Sequence, residues 1–293
     1  MKVYSRGGVG VYTDYRENII IDADHPILKW KANKKNERLR PSWFPAEVRS
    51  KFPRGFPYIA SEQSEDVLSW NLFRSLQAAG KLRLLTDEKG IHEDIEMVYF
   101  WQHEADRWSE EVDLEIQSIL NEMEPWGING RKQQTETDVI FRGEHHIVMA
   151  ESKLGRPDKV MKAWGRGGSP SRPMHPDYLK FMKKLGAKLF KDSFNFEQDG
   201  RRFYQLFRNY LLGAAFSQRW GTKFYLLAIV NGMNRNLEGR SHEDEFQSFQ
   251  GFLEDPGNTF LTTWQQLWRI LPDEPELSQL RKWLRGHPLL CLS

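Results

Sequence analysis

The sequence contains one cysteine, Cys291, in 293 residues. A lone thiol permits no intramolecular disulfide and no cysteine-based zinc centre, which fits a reducing compartment. Long apolar runs are missing too. The longest, FYLLAIV at 224–230, is far too short to cross a bilayer. The opening MKVYSRGGVG has no apolar core of a secretory leader. The expectation is a cytoplasmic protein with no membrane partner. Strong net charge is also absent. The chain carries only +2, so any attraction to a polyanion must come from local patches. Several catalytic signatures are lacking. There is no G-x-x-x-x-G-K-[ST] phosphate loop and no G-x-S-x-G elbow. HEADR at 103–107 lacks the second histidine of a zinc protease, and GGVG at 7–10 lacks the third spaced glycine of a dinucleotide site.

What is present reads as a globular protein. Hydrophobic residues make up 39% and charged residues 28%, a balance that can bury a core and does not resemble disorder. The length suits one large domain or two small ones. NIIIDA at 18–23 reads as a short strand. SEQSEDVLSWNLFRSLQAAGKL at 61–82 reads as an amphipathic helix with Ser64 as N-cap and Gly80 as its stop. DIEMVYFWQ at 94–102 is strand-like and 106–127 is an acidic helix. TDVIF at 137–141 and HIVMAES at 146–152 flank the turn-like RGEH, a hairpin pattern. Residues 155–176, rich in Gly, Pro, Ser and Arg, read as a long loop. Helices are expected at 178–190 and 201–221, a buried strand at 223–231, and two closing helices around 244–254 and 262–285. The order predicts a mixed α/β core, a sheet covered by helices.

The stretch TETDVIFRGEHHIVMAESK, 135–153, carries the chemistry. Residues two apart in a strand share a face, so Glu151 and Lys153 project together. If the two strands pair around Gly143 and Glu144, Asp138 comes opposite the end of the second strand. Two carboxylates and an ammonium then meet at one edge. Clustered carboxylates resist ionisation unless a cation lies between them. Hard oxygen ligands of this kind suit Mg²⁺ or Mn²⁺, and a neighbouring lysine can position water and offset negative charge. The bland alternative is a surface ion pair between Glu151 and Lys153, which contributes little.

Asp138 followed by Glu151-Ser152-Lys153 on consecutive strands resembles the PD-(D/E)XK nuclease superfamily, although Thr137 stands where the family's name has proline. The resemblance spans roughly 61–231. It implies a restriction-endonuclease-like αβββαβ core with N- and C-terminal additions, and a mixed central sheet flanked by helices. It implies metal binding by Asp138, Glu151 and the backbone carbonyl of Ser152, with Lys153 orienting or activating water. Glu65, on the helix before the sheet, matches an additional acidic ligand of many members, though an acid in a first helical turn is favoured by the helix dipole alone. YQLFRNYLLGAA matches the helix after the E-x-K strand, with Gln205 in a catalytic supporting role and Arg208 toward nucleic acid.

The segment beyond the E-x-K element is basic. Arg156, Lys159, Lys162, Arg166 and Arg172 lie in the loop, followed by Lys180, Lys183, Lys184, Lys188 and Lys191. In a nuclease such residues contact phosphates; otherwise they are a solvated face. His145 and His146, at the turn, are expected to be solvated. Three segments follow: 1–60 of uncertain fold, 61–235 the nuclease-like core, and 236–293 a helical segment packed on it. The expected activity is Mg²⁺- or Mn²⁺-dependent phosphodiester hydrolysis with DNA as substrate. Resembling proteins occur in prokaryotic defence and restriction systems, which suggests a defence context and a homodimer or protein partner. The alternative is a non-catalytic nucleic-acid- or partner-binding module on the same fold.

Overall fold

The computed structural model describes residues 1–34, 38–109, 113–125, 136–154, 175–235 and 239–292. The chain divides into two compact units, one made of 91–264 and the other of 1–90 with 265–293. This division does not follow the boundaries expected near 60 and 235. It separates the 65–78 helix from the sheet and groups the chain's end with its beginning.

The larger unit is built on a six-stranded sheet of β5 (Met97–Phe100), β6 (His103–Glu104), β7 (Val139–Arg142), β8 (His146–Lys153), β9 (Lys223–Val230) and β10 (Thr259–Thr263), in the order β10-β9-β8-β7-β5-β6. β7 runs antiparallel to β5 and β8, while β8, β9 and β10 are mutually parallel. The expected hairpin forms around Gly143, whose N–H donates to the His146 carbonyl at 2.8 Å. An added Cβ at Gly143 would lie 2.5 Å from Glu93 Oε1. That carboxylate binds the turn, accepting from His145 N–H at 3.0 Å and pairing with His146 Nδ1 at 2.6 Å.

Helices flank the sheet: α4 (Leu114–Met123), α5 (Pro176–Leu185), α6 (Asp199–Arg202), α7 (Tyr204–Trp220) and α8 (His242–Gln250). α4 starts at Leu114, later than its acidic sequence suggests, because Asp113 accepts from the N–H groups of Glu115 and Ile116 and caps it there. One face of the sheet, with Ile140, Ile147, Met149, Leu226 and Ala228, packs against Ile116 and Leu120 of α4, Phe181 of α5, Phe207 and Leu211 of α7 and Phe249 of α8. Glu151 and Lys153 continue the alternation of Ile147 and Met149 and therefore belong to this helix-covered face. The C-terminal part differs from its expected helices. TFLTT at 259–263, rich in Thr, pairs with β9 as the edge strand β10. The helical run beyond it is split at Pro272 and Pro275 into α9 (Trp264–Ile270) and α10 (Ser278–Gly286).

The smaller unit holds the two-stranded pairs β1 (Lys2–Tyr4) with β2 (Gly10–Tyr12) and β3 (Arg38–Leu39) with β4 (Phe56–Pro57). It also holds α1 (Pro26–Asn33), α2 (Ala46–Lys51) and α3 (Glu65–Ala78). α3 matches the sequence reading: Ser64 accepts from Val67 N–H at its start and Gly80 takes φ +64 after its end. NIIIDA does not form a strand. Its backbone is satisfied by α3 side chains instead: Asn71 accepts from Ile20 N–H and donates to Asn18 O, and Trp70 donates to Ile21 O. No helix among the described residues is long and apolar enough to cross a membrane.

Candidate active site

The register Val139↔Ala150, continued by one residue, sets Asp138 opposite Glu151. Asp138 Oδ2 accepts the backbone N–H of Ser152 at 2.9 Å, which ties the carboxylate to the neighbouring strand. Lys153 Nζ is 2.7 Å from Glu151 Oε1 and 3.8 Å from Asp138 Oδ2. The sequence's two carboxylates and ammonium are thus one cluster. It is not a surface ion pair, since the side chains of Glu151 and Lys153 are only 5% and 7% exposed and that of Asp138 14%. Breaking such a buried set by deleting one member strands a charge in low dielectric.

The start of β7 is anchored from the other side. Trp101 and Gln102 form the two-residue turn between β5 and β6 with φ of +49° and +74°, a region that bulky residues rarely adopt. Both are buried, and the Trp101 N–H donates to the Asp138 carbonyl at 3.2 Å. Strained backbone of this kind persists where surrounding packing over-determines it.

Behind the cluster is a second layer of polar groups. Asn209 on α7 donates its side-chain N–H to Glu151 Oε2 at 2.8 Å. Its Oδ1 accepts from Thr137 Oγ1 and Arg208 Nη1, both at 3.1 Å. Arg208 Nη1 also donates to Thr137 Oγ1 at 3.2 Å, and its Nε donates to Glu124 Oε1 at 2.6 Å. Tyr178 on α5 donates to the same Glu124 oxygen at 2.8 Å and lies 2.7 Å from the Tyr204 hydroxyl. Arg208 is 1% exposed and Glu124 fully buried. Burial works against the charge on Arg208, but the Glu124 carboxylate together with the Tyr178 and Tyr204 hydroxyls outweighs it and raises the guanidinium's pKa. Burial, with Glu124 adding to it, pushes the Tyr178 phenol well above its usual range.

Arg208 was expected to face nucleic acid. It does not: its guanidinium is enclosed and bonded to Glu124, Thr137 and Asn209. Gln205 lies one turn before Asn209 on the same face of α7, and its Oε1 is buried with no hydrogen-bond partner among the described residues. Glu65 is the first residue of α3 in the other compact unit. No group of three or more His, Cys, Asp or Glu side chains suited to a metal ion forms among the described residues. Arg156, Lys159, Lys162, Arg166 and Arg172 lie outside the described residues. Of the lysines that follow, Lys180, Lys184 and Lys188 pair with Asp177, Glu122 and Glu254, and Lys191 donates to the Gly251 carbonyl. His145 is exposed as expected, whereas His146 is held by Glu93.

Asn209 was a lesser candidate beside Arg208 on the YQLFRNYLLGAA helix, four residues after Gln205 and so on the same helical face. Glu124 was not expected. Nothing local marked Glu124, which reaches Arg208 from 84 residues away.

A mixed six-stranded sheet flanked by helices, with an acidic pair and a lysine at the ends of two antiparallel strands, defines a restriction-endonuclease-like protein. The chain belongs to the family described as Restriction Endonuclease associating with ARP, whose model matches residues 64–287. No curated protein and no solved structure matches the chain.

Proposed function

We propose that this protein is a metal-dependent nuclease of the PD-(D/E)XK type that hydrolyses phosphodiester bonds, with DNA as its substrate. One observation carries the reading: Lys153 joins Glu151 and Asp138 in a single buried cluster, at 2.7 and 3.8 Å. The donor set fits Mg²⁺ or Mn²⁺. Two carboxylates already share one cation there, and hard oxygen ligands with remaining positions filled by water are what Mg²⁺ prefers. Asp138 and Glu151 would hold the ion, with the backbone carbonyl of Ser152 as a further oxygen. When bound, the ion lowers the pKa of a water and offsets charge on the phosphate.

The protein's own groups do the rest. Lys153 is placed to orient a water molecule and to balance negative charge that develops on the phosphate. The hydrogen bond from Ser152 N–H sets the direction of Asp138, and that from Asn209 sets the direction of Glu151. The family's description supports both nucleic acid as substrate and a protein partner, ARP, in a defence or restriction setting.

The test is a cleavage assay on the purified chain with supercoiled plasmid, linear duplex, single-stranded DNA and RNA, each with Mg²⁺, Mn²⁺ or EDTA. The expected result is metal-dependent cutting that Lys153→Ala and Asp138→Ala both abolish. If the wild type cuts nothing, and calorimetry detects no Mn²⁺ binding that Asp138→Ala removes, the chain is a binding module and this reading fails.

A further inference from the structure

Residues 38–57 carry five basic side chains, Arg38, Arg40, Arg49, Lys51 and Arg54, against the single acid Glu47. That local +4 exceeds the +2 of the whole chain, so the remainder of the protein is net acidic.

The local fold leaves four of these five side chains, Arg40, Arg49, Lys51 and Arg54, exposed. Leu39 of β3 and Phe56 of β4 pair across the ribbon and join Val11, Phe44 and Ala60 in a small core, with Val48 and Phe52 packed against it. Leu39 of β3 is buried, and Arg38 before it and Arg40 just past the strand's end flank it in the chain. Arg38 pins the ribbon by donating to the carbonyls of Arg54 and Gly55 at 3.0 and 2.9 Å. Gly55, at φ +68°, permits this: an added Cβ would lie 2.0 Å from the Leu39 carbonyl. The close approach brings Arg54 beside β3.

Between these strands, Trp43 ends a 3₁₀ turn, with its N–H bonded to Arg40 O at 3.0 Å. Trp43 is 45% exposed, whereas the next residue, Phe44, is buried. The Trp43 carbonyl accepts from Arg6 N–H at 2.8 Å, which adds the β1–β2 turn to the same region. Arg6, Arg40, Arg49, Lys51 and Arg54 are all exposed, and none has an ion-pair partner among the described residues. Elsewhere in the same unit, Lys2, Arg16, Lys31, Arg74 and Lys81 each pair with an acid.

We propose that this face binds the phosphate backbone of nucleic acid, with Trp43 stacking on an unpaired base. Unpaired, exposed cations gain most from phosphate because binding releases the counterions condensed on the polyanion. An exposed indole among them supplies the flat surface on which a base stacks without regard to sequence. The face lies outside residues 64–287, so it is an addition to the part of the chain that the family model matches. The choice of nucleic acid as the polyanion rests on the nuclease reading, but the face is tested separately from the chemistry.

The experiment is fluorescence anisotropy on the full chain in EDTA, where no cutting is required, with labelled single-stranded DNA, duplex DNA and RNA over a series of salt concentrations. Arg40→Glu with Arg54→Glu is expected to weaken binding by at least roughly tenfold, and Arg40→Gln with Arg54→Gln to lower the slope of log affinity against log salt by about 2. Trp43→Ala is expected to weaken single strands more than duplex. Circular dichroism confirms that each variant is folded, and the glutamine pair carries the test if the glutamate pair is not. The proposal is overturned if the wild type binds none of the probes, or if a folded patch variant keeps wild-type affinity and salt slope. Failure of the nuclease reading would show as binding without cutting under any metal, a result that leaves this one intact.

Discussion

Asn209 donates its side-chain N–H to Glu151 Oε2 at 2.8 Å, while Lys153 takes the other oxygen at 2.7 Å. One carboxylate is thereby held at both ends, by an amide from α7 and an ammonium from its own strand. Neutral Asn209 orients Glu151 without adding charge. Asn209→Ala should leave the fold intact and lower cleavage, or Mn²⁺ affinity by calorimetry, about 10- to 100-fold, the usual cost of losing a group that orients a metal ligand. Asn209→Asp should be worse, because two carboxylates would face each other in a buried site. Full activity in Asn209→Asp would remove Asn209 from any such role.

The Arg208–Glu124 pair, at 2.6 Å and almost completely buried, supports Asn209 from behind. Arg208→Met leaves the Glu124 charge without its guanidinium and should cost about 3–5 kcal/mol in urea unfolding. The double variant Arg208→Met with Glu124→Gln removes both charges and should cost less than the sum of the two singles. Additive losses in the cycle would mean that the two residues do not act as a pair.

α7 approaches the sheet closely at Gly213. An added Cβ there would lie 2.7 Å from Phe224 Cδ2 and 3.1 Å from Met149 Cγ. Gly213→Ala should therefore destabilise by about 1–3 kcal/mol, despite alanine's better helix propensity, because overpacking exceeds that gain. An unchanged or raised unfolding midpoint would show that β8 and β9 can yield.

His287, in the smaller unit, should make stability fall in mild acid. Burial pushes its imidazole down from 6.5 to about 4, with Glu62 acting in the opposite direction and Lys2 in the same one. Its Nδ1 accepts from Leu289 N–H at 3.3 Å, and its ring meets Trp283 edge-on at 5.2 Å. The folded state takes up the proton less readily than the unfolded chain. The contribution is thus complete above pH 6.5, declines as pH falls from 6.5 toward 4, and levels off below. The total is about 3 kcal/mol. Urea unfolding between pH 4 and 7 should show a shallower decline for His287→Gln than for the wild type. Parallel curves would contradict this.

Much of the site was legible in the residues because it is local. Asp138, Glu151 and Lys153 lie on two strands joined by a short turn, so alternation and register alone brought them together. β9 and α3 were legible for the same reason: one is a continuous apolar run, the other a capped, periodic helix. Residue pattern alone was therefore enough for the fold class and for bringing Asp138, Glu151 and Lys153 together. The fate of Arg208 was settled by packing: a cation that reads as a phosphate contact is buried against Glu124. Packing also decided that TFLTT closes the edge of the sheet, and that the N-terminal NIIIDA bonds to Asn71 and Trp70 instead of forming the short strand expected of it. Those outcomes depend on partners far away in the chain. Propensity and periodicity are blind to such partners, because the free energy lies in desolvation and pairing that arise only once the elements have packed.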